Sequence, residues 1–322
     1  MSRSILIIDD TYAEHYRKEL GRRFPEIVFH ARPIKAQVGD EVTEVEAIFG
    51  IGTTRIFSDE MLRKAQRLKW IHTFTTGTDG VRSLPSLGKQ VVLSCSRGIH
   101  GPQVAEMALL MMLALGRGLP RMLRNQEKAV WGRFPQRRIF GKTVVILGLG
   151  VIGADLALRS TAFGMKVIGV TRTPRELPGF DRIVTYDEME QVVAEADYLV
   201  VITPYSARTD KMVNAKLLRA VKPSAYLVNV SRGGVCDEEA ILEALRENRL
   251  AGAGLDVFAS EPLAPGHPFW QDERVLVTPH VSGGSDFSPA LHMPIIEANI
   301  RCYLQGRFSD MMNLVPHQGV GR

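Results

Sequence analysis

Short apolar runs alternate with helical patterns along the chain, and this alternation predicts an α/β fold built on parallel sheets. In the first hundred residues, runs typical of buried strands occur near Ser4–Ile8, Ala47–Phe49, Trp70–Phe74 and Val91–Ser94. Helical patterns separate them near Tyr12–Leu20 and Asp59–Leu68, and Ser58 is the expected N-cap of the second. A long helix is predicted to begin after Pro102 and to run to about Leu115.

A second series of strands follows, near Thr143–Leu147, Lys166–Val170, Tyr198–Ile202, Ala225–Val230, Gly252–Val257 and Val275–Val277. The helices of this series are predicted near Val151–Phe163, Asn214–Val221 and Asp237–Glu247, and a last helix near Pro289–Leu304. Six such strands match a complete doubly wound dinucleotide-binding sheet. The first series then forms a separate, smaller sheet, and a length of 322 residues agrees with two domains.

The charge of the chain is mildly positive, with a formal net charge of +5 at pH 7. Such an excess attracts anionic ligands but is too diffuse to indicate a nucleic-acid partner. The densest basic stretch, Arg121–Lys142, is interpreted as a solvated face, although Trp131 and Phe134 within it indicate packing against another surface.

The cysteines and the longest apolar run bear on compartment and membrane contact. Cys95, Cys236 and Cys302 are odd in number and far apart, so they predict neither a disulfide framework nor a metal site. This usage fits a reducing compartment. The apolar run Ala108–Leu115 is far shorter than the roughly 20 residues of a membrane span. We therefore expect a cytoplasmic protein without membrane, metal or nucleic-acid partners.

A glycine pattern stands between the strand predicted at Thr143–Leu147 and the helix after it. Gly148, Gly150 and Gly153 form G-x-G-x-x-G, which in this context predicts a dinucleotide-binding loop. The first glycine permits a tight turn, the second a close approach to pyrophosphate, and the third close packing of helix on strand. A strand–helix turn that binds nothing is the alternative. Because the loop opens near residue 148, another domain precedes it, and we expect the substrate cleft between the two.

Three chemically active side chains follow strands of the second series. Arg232 lies beyond the strand predicted at Ala225–Val230, Glu261 beyond Gly252–Val257, and His280 beyond Val275–Val277. Each alone could be an ordinary surface or loop residue. Ligands of open α/β sheets bind at the carboxyl ends of strands, so the coincidence of all three beside a glycine loop favours an active site.

With these motifs in place, the chain resembles the D-isomer-specific 2-hydroxyacid dehydrogenase family, in its glyoxylate/hydroxypyruvate reductase-like branch. The resemblance rests, in the family's order, on Val104–Glu106, Gly148–Gly153, Asn229–Asp237, Gly254–Phe258, Ser260–Leu263, Thr278–His280 and Asn313–Val315. The N-terminal part is similar mainly through Thr76–Asp79, in the position of the substrate loop. These motifs do not distinguish one substrate from another.

The resemblance implies a layout that is discontinuous in sequence. A smaller, flavodoxin-like α/β substrate domain would comprise residues 1–99 and 284–322, and a doubly wound Rossmann-type nicotinamide domain residues 100–283. Two crossings between the domains would act as hinges for closure over the substrate. The resemblance also implies a homodimer formed through the cofactor domain and the segment before the glycine loop.

The reaction implied is hydride transfer between a nicotinamide cofactor and a small 2-keto acid such as glyoxylate, hydroxypyruvate or phenylpyruvate. His280 is the expected general acid, because imidazole titrates near neutral pH. Glu261 is expected to hold the imidazole and to favour its protonated form. Arg232 is expected to grip the substrate carboxylate as a planar fork. Backbone N–H groups of the substrate loop are expected to complete the carboxylate site, at Thr76, Gly77 and Thr78.

The cofactor is expected to be NADP rather than NAD, although NAD stays possible. The strand Lys166–Val170 ends where an NAD enzyme places an acidic residue, and here Thr171-Arg172-Thr173-Pro174-Arg175 follows. Two arginines and two hydroxyls can bind a 2′-phosphate. Asp256 could support Arg232, contact the nicotinamide carboxamide or cap a strand end. The expected cofactor-binding residues are Gly148, Gly150, Val151, Ile152, Gly153, Thr171, Arg172, Thr173, Arg175, Thr203, Pro204, Thr209, Val230, Ser231, Asp256 and Gly283.

Two other readings stay open on the sequence. A corepressor-like protein of the same fold would bind the nicotinamide cofactor and grip partner peptides with little turnover. The intact set of Arg232, Glu261 and His280 favours turnover instead. A formate dehydrogenase would carry Gln before its active histidine rather than a Glu-Pro pair upstream, and so it matches less well.

Overall fold

The computed structural model describes residues 3–34 and 39–316, and the chain divides into two compact units. One unit comprises the described parts of Met1–Ile99 and Ser285–Arg322, and the other is His100–Gly284. The ends of the smaller predicted domain, residues 1–2 and 317–322, lie outside the described residues. Each unit contains one parallel sheet flanked by helices, as the alternating pattern predicted.

The strands of the smaller unit form a five-stranded sheet in the order β2-β1-β3-β4-β5. They are β1 Arg3–Ile8, β2 Ile27–Arg32, β3 Ala47–Gly50, β4 Trp70–Thr73 and β5 Val92–Cys95. Four of them confirm predicted strands, whereas β2 is an addition. This edge strand buries Ile27 and Phe29 but exposes Val28 and carries His30, so its sequence lacks the continuous apolar run of a central strand.

The larger unit contains a seven-stranded parallel sheet in the order β12-β11-β10-β9-β6-β7-β8. Its strands are β6 Thr143–Leu147, β7 Lys166–Val170, β8 Arg182–Val184, β9 Tyr198–Val201, β10 Tyr226–Asn229, β11 Gly252–Leu255 and β12 Val275–Val277. The prediction of six strands was therefore one short. The missing strand, β8, has three residues and an exposed arginine at an edge, too short a pattern to recognise.

The helices, in chain order, are α1 Ala13–Arg23, α2 Asp59–Lys64, α3 Asp79–Arg82, α4 Gly101–Arg117, α5 Leu119–Glu127, α6 Val151–Ala162, α7 Met189–Val193, α8 Ala215–Ala220, α9 Glu238–Arg246 and α10 Ser288–Leu304. Ser58 caps α2 as predicted, since its side chain accepts a hydrogen bond from the Met61 N–H at 3.1 Å. Helix α2 ends at Lys64, four residues before the end predicted at Leu68, and residues 65–68 form a turn instead. The short helices α3 and α7 and the helix α5 were not predicted.

Apolar side chains cover both faces of each sheet. In the larger unit, Val145 and Leu147 of β6 face one core while Val144 and Ile146 face the other. Strands buried on two faces consist of continuous apolar residues, which explains why the central strands could be predicted. Among the helices of residues 3–34 and 39–316, none combines the length and apolar character needed to cross a membrane.

A buried histidine lies on β4, just before the segment that leads to Thr76. His72 is fully buried, and its ring nitrogens contact the hydroxyls of Ser94 (2.8 Å) and Ser96 (3.0 Å). Burial, together with a smaller effect of the neighbouring His292, lowers the pKa of His72 to about 3. The imidazole is therefore neutral in the folded protein at any pH well above 3.

Because the His72 imidazole is buried in its neutral form, we expect the protein to lose stability in mild acid. The His72 side chain takes up a proton near pH 6.5 in the unfolded chain but only near pH 3 in the folded protein. Its contribution to the free energy of unfolding is therefore complete above pH 6.5 and decreases as the pH falls towards 3. Between pH 7 and 4.5 the wild type should lose about 2–3 kcal/mol of unfolding free energy that a His72→Gln variant does not lose.

Urea unfolding of both proteins at the two pH values measures this difference. The matched control is His15→Gln, because the His15 side chain is exposed in the same unit and stays in water in both states. Equal pH dependence in wild type and His72→Gln would contradict the prediction.

Candidate active site

The candidate residues of the larger unit all follow the carboxyl ends of its strands. Gly148 follows β6, Thr171 follows β7, Thr203 follows β9, and Arg232 follows β10. Asp256 and Glu261 follow β11, and His280 and Gly283 follow β12. This is the edge at which open parallel sheets bind ligands.

The glycine loop joins β6 to α6 and has the backbone that a pyrophosphate cradle requires. Gly148 has a positive φ of 105°, and a Cβ there would lie 2.9 Å from the Thr203 backbone nitrogen. A Cβ at Gly153 would collide with the carbonyl oxygen of Gly148, so only glycine allows α6 to begin so close to β6. A Cβ at Gly150 would meet open space.

Helix α6 begins beside that open space. Its N-cap residue is Gly150, which has no side chain that could accept a hydrogen bond from the first N–H groups of the helix. The first N–H groups of a helix have no intrahelical partner, and the helix dipole adds positive potential there. Val151 and Ile152 open the helix, so their N–H groups face the space that a phosphate would fill. The loop therefore fits a dinucleotide on its own geometry.

The segment after β7 contains the residues that were predicted to bind the ribose of the cofactor and its 2′-phosphate. Arg172 and Thr173 are exposed, and Thr171 is half-buried. The Arg175 guanidinium donates to the carbonyl oxygen of Leu149 at 3.1 Å, which places this cation against the glycine loop itself. No acidic residue occurs between Thr171 and Arg175.

The remaining predicted contacts line the same edge. Thr203 is buried, and Thr209 donates to the Pro204 carbonyl oxygen at 2.8 Å, which fixes the turn after β9. After β10, Val230 and Ser231 are buried, and the Ser231 hydroxyl donates to the Oδ1 atom of Asn229 at 2.8 Å. Gly283 is half-buried beyond β12.

The structure brings His280 and Glu261 together. His280 Nδ1 lies 2.7 Å from Glu261 Oε2, although 19 residues separate the two in the chain. With Nδ1–H donating to the carboxylate, Nε2 points away and has no hydrogen-bond partner within residues 3–34 and 39–316. Glu261 is itself fixed, since its Oε1 accepts a hydrogen bond from the Phe258 N–H at 3.0 Å.

Opposing effects act on the Glu261 carboxyl. Burial raises its pKa, but the hydrogen bond from His280, the Phe258 N–H and the positive charges of His280 and Arg232 outweigh burial. The pKa of Glu261 therefore lies below its usual value. Since a lowered pKa keeps the carboxylate charged, Glu261 remains an anionic partner for the imidazole throughout the neutral range and is lost as such only in acid.

Arg232 lies close enough to Glu261 for its charge to lower the Glu261 pKa. Its Nη1 atom donates to the carbonyl oxygen of Ser231 at 2.7 Å. The backbone of Arg232 is fixed by Asn229, whose Nδ2 atom donates to the Arg232 carbonyl oxygen at 3.1 Å. Arg232, Glu261 and His280 are therefore held at one edge of the sheet.

The predicted substrate loop belongs to the smaller unit and follows β4. Thr78 is buried and directly precedes the short helix α3, as its N-cap residue. The Thr75 hydroxyl donates to the Gly77 carbonyl oxygen at 2.8 Å and accepts from the Gly52 N–H at 3.1 Å, which fixes the turn around Thr76. The loop is thus ordered by contacts within its own unit.

Residues that support the site were missed in the sequence. Asn229 fixes the turn that carries Arg232, and the hydroxyls of Thr278 and Ser282 contact Asp256 on either side of His280. These supporting residues could have been suspected from the sequence, because they are polar and lie close to a candidate catalytic residue at a strand end. Such residues commonly bond to the backbone or to other polar groups, but the partner cannot be read from spacing.

The comparisons with known proteins agree with this geometry. Residues 109–282 match a family model described as "D-isomer specific 2-hydroxyacid dehydrogenase, NAD binding domain". The chain is similar to a glyoxylate reductase of Korarchaeum cryptofilum, at 27% identity over 95% of this chain and 92% of that protein. It spans only 56% of the D-3-phosphoglycerate dehydrogenase of Methanocaldococcus jannaschii, at 26% identity over 89% of this chain.

Two solved structures are similar over nearly the whole chain. A D-isomer specific 2-hydroxyacid dehydrogenase family protein from Aeromonas salmonicida matches with a TM-score of 0.86 and 29% identity, over 98% of this chain and 99% of that one. A D-isomer specific 2-hydroxyacid dehydrogenase from Xanthobacter autotrophicus Py2, in complex with NADPH and MES, matches with a TM-score of 0.80 and 27% identity, over 99% of this chain and 100% of that one.

The family model covers more than half of the 322 residues and includes the glycine loop, Arg232, Glu261 and His280. The expected Rossmann-type fold is confirmed by the parallel sheet of the larger unit and by the solved structures. The chain therefore belongs to the D-isomer specific 2-hydroxyacid dehydrogenase family and is an NAD(P)-dependent oxidoreductase that acts on small 2-hydroxy or 2-keto acids.

Proposed function

We propose that this protein reduces a small 2-keto acid, such as glyoxylate, hydroxypyruvate or phenylpyruvate, to the 2-hydroxy acid with NADPH. The observation that carries the proposal is the His280–Glu261 pair, held at 2.7 Å on the sheet edge that also carries the glycine loop. A nicotinamide cofactor held by the glycine loop would supply the hydride, and the histidine of the histidine–carboxylate pair supplies the proton that the reduced oxygen needs.

His280 acts as the general acid in this proposal. Its Nδ1–H is committed to Glu261, so Nε2 is the atom that delivers the proton to the keto oxygen and recovers it in the reverse reaction. The Glu261 carboxylate stabilises the charged imidazole before the transfer and fixes the plane of the ring. Both effects keep the proton at the atom that faces the substrate.

Arg232 binds the substrate carboxylate and polarises the keto oxygen. A guanidinium offers parallel N–H donors that match a carboxylate, and such charge-assisted pairs are stronger than neutral ones. The backbone N–H groups of Thr76, Gly77 and Thr78 complete the carboxylate site. Residues 100–283 hold the cofactor, and residues 1–99 with 284–322 supply the substrate loop.

The experiment tests a panel of 2-keto acids with NADPH and measures turnover as the loss of NADPH absorbance. We expect turnover with at least one of glyoxylate, hydroxypyruvate and phenylpyruvate, and ranking them by kcat/KM identifies the preferred side chain. Absence of turnover with every 2-keto acid, combined with specific capture of a peptide partner, would favour a corepressor-like binding protein instead.

NADPH is the preferred cofactor because Arg172, Thr171 and Thr173 follow β7 where an acidic residue would repel a 2′-phosphate. Arg175 is already held against the glycine loop through Leu149. One cation–phosphate contact at about 4 Å contributes about 1 kcal/mol in water and more at a protein surface. The structure of the similar Xanthobacter protein contains NADPH, which supports binding of this cofactor by the same fold.

The prediction for cofactor choice is that wild-type kcat/KM is at least tenfold higher with NADPH than with NADH. Arg172→Ala should lose most of this preference, mainly through a higher KM for NADPH, while its use of NADH changes little. Arg219→Ala, which removes an exposed arginine in the last turn of α8, is the matched control. A wild-type preference for NADH, or an unchanged preference in Arg172→Ala, would refute the assignment.

We further propose that the protein forms a homodimer through the segment before the glycine loop. In the single chain, α5 buries none of its residues and Trp131 is 92% exposed. Apolar side chains that are exposed together are typical of a surface covered by a partner. Analytical ultracentrifugation at micromolar concentration distinguishes a dimer near twice 35.7 kDa from a monomer.

A further inference from the structure

Glu261 lies in a loop between two buried phenylalanines, Phe258 and Phe269, here called the active-site loop. Most residues of this loop are exposed to solvent. A segment with few buried apolar contacts opens easily unless hydrogen bonds fix it. The position of Glu261 therefore depends on the groups to which the active-site loop is tied.

Glu238, at the start of α9, contacts the active-site loop on both sides of Glu261. Its Oε1 atom accepts a hydrogen bond from the Ala259 N–H at 2.7 Å, and its Oε2 atom lies 3.8 Å from His267 Nε2. The His267 Nδ1 atom accepts from the Phe269 N–H at 3.3 Å, so Nε2 carries the proton and faces the carboxylate. We call these contacts of Glu238 with Ala259 and His267 the Glu238 clasp.

The segment that leads into α9 also carries Arg232. A Cβ atom at Gly233 would collide with the carbonyl carbon of Phe258 and the nitrogen of Ala259. The turn after Arg232 therefore packs on the active-site loop backbone to backbone, an approach that only glycine allows. The same Ala259 nitrogen donates its proton to Glu238, so the clasp joins the segment of Arg232 to the loop of the catalytic carboxylate.

The negative charge of Glu238 suits its position. Glu238 lies in the first turn of α9, where the unpaired N–H groups of the helix produce a positive potential. Its side chain is only 20% exposed, so solvent screens the contacts of the clasp in part. A hydrogen bond from an N–H group to a carboxylate is stronger than one to a neutral acceptor. These conditions favour a persistent clasp.

We propose that Glu238 is a positioning residue for the reduction, which holds the active-site loop so that Glu261 stays against His280. The proposal rests on the proposed function, in which Glu261 stabilises the protonated imidazole. Without the clasp, the loop adopts other conformations, and Glu261 spends less time at 2.7 Å from His280. The protonated imidazole is then less stabilised, so His280 loses its proton at a lower pH.

The first test compares three variants of α9. Glu238→Ala removes the clasp, whereas Glu238→Gln keeps an oxygen that accepts from the Ala259 N–H. Glu239→Ala is the matched control, because Glu239 is the next residue of the helix and is exposed. The measurements are kcat/KM for the best 2-keto acid against pH at saturating NADPH, the Kd for NADPH, and thermal unfolding.

The reduction requires the protonated imidazole, so kcat/KM decreases as the pH rises through the titration of His280. In Glu238→Ala we expect the midpoint of this decrease to move down by about half a pH unit or more, and kcat/KM at pH 7 to fall about fivefold or more. Glu238→Gln should recover most of the loss, and Glu239→Ala should match the wild type. The Kd for NADPH should stay within about threefold of wild type in all three.

Two outcomes would overturn the proposal in a folded Glu238→Ala variant. The first is a pH midpoint equal to that of the wild type, because a merely structural effect lowers the amount of active protein and leaves the titration of His280 unchanged. The second is a lower midpoint in Glu239→Ala as well, because the shift would then follow from the loss of any negative charge on α9.

If Glu238→Ala does not fold, His267→Asn replaces it. Asparagine is a favoured N-cap residue, so its side-chain oxygen accepts from the Phe269 N–H in place of His267 Nδ1. Its side chain is too short to reach Glu238, so the second contact of the clasp is lost. We expect the pH midpoint to move down in this variant too, and a midpoint equal to that of the wild type would overturn the clasp.

The outcomes separate the clasp from the proposed function. A wild-type protein that reduces none of the 2-keto acids would refute the function itself. An active wild type whose pH midpoint responds to neither Glu238→Ala nor His267→Asn would refute the clasp alone.

Discussion

The His280→Gln variant is expected to bind NADPH with wild-type affinity and to reduce 2-keto acids with a kcat roughly 10²–10⁴ times lower. This range is the usual contribution of general acid–base catalysis. Glutamine keeps polar atoms near the ring position, but its neutral amide cannot act as a general acid or base. The loss should therefore appear in kcat rather than in cofactor binding.

Steady-state kinetics with the best keto acid of the panel, together with the Kd for NADPH from fluorescence titration, measures this effect. His15→Gln is a suitable control, because His15 is exposed on α1. A near-normal kcat in His280→Gln would remove His280 from the mechanism. Loss of NADPH binding would show that the substitution disturbs the cofactor site rather than the proton transfer.

Arg232→Lys is the second substitution with a large expected effect. Lysine keeps the positive charge but offers a point charge in place of the planar fork, so it cannot form two parallel hydrogen bonds with a carboxylate. We expect kcat/KM for the keto acid to fall at least tenfold, which corresponds to about 1.4 kcal/mol of lost transition-state stabilisation. The Kd for NADPH should stay within about threefold of wild type.

The control for this variant is Arg246→Lys, which changes an exposed arginine in the last turn of α9. If kcat/KM of Arg232→Lys stays within threefold of wild type, Arg232 does not anchor the substrate. A fall confined to NADPH affinity would instead place Arg232 among the cofactor contacts.

Both predictions concern side chains whose positions at strand ends were foreseen from the sequence. The central strands bury both faces, so their sequences are continuous apolar runs, and the residues that follow are easily located. The glycine loop was recognisable for a similar reason, because Gly148 and Gly153 meet steric demands that other residues cannot meet. The roles of Arg232, Glu261 and His280 stay predictions until the variants are measured.

Other elements could not be foreseen, because their patterns are weak. The edge strand β2 mixes polar and apolar residues, and β8 has only three residues. Both exist because a neighbouring strand offers its backbone groups, β1 in one sheet and β7 in the other. Pairing of this kind depends on partners distant in the chain, and local propensity does not report it.

The sequence by itself determined the chemistry of this protein: the glycine loop, the segment Thr171–Arg175 without an acidic residue, and a histidine, a glutamate and an arginine at three strand ends. Only the tertiary structure decided which of these groups meet. His280 and Glu261 come within 2.7 Å because β11 and β12 are neighbours in the sheet. The same adjacency gives the Asp256 carboxylate its donors from residues 22 to 26 positions later in the chain. Residue types fix what a side chain can donate or accept, whereas the pairing of strands fixes the partner to which it does so.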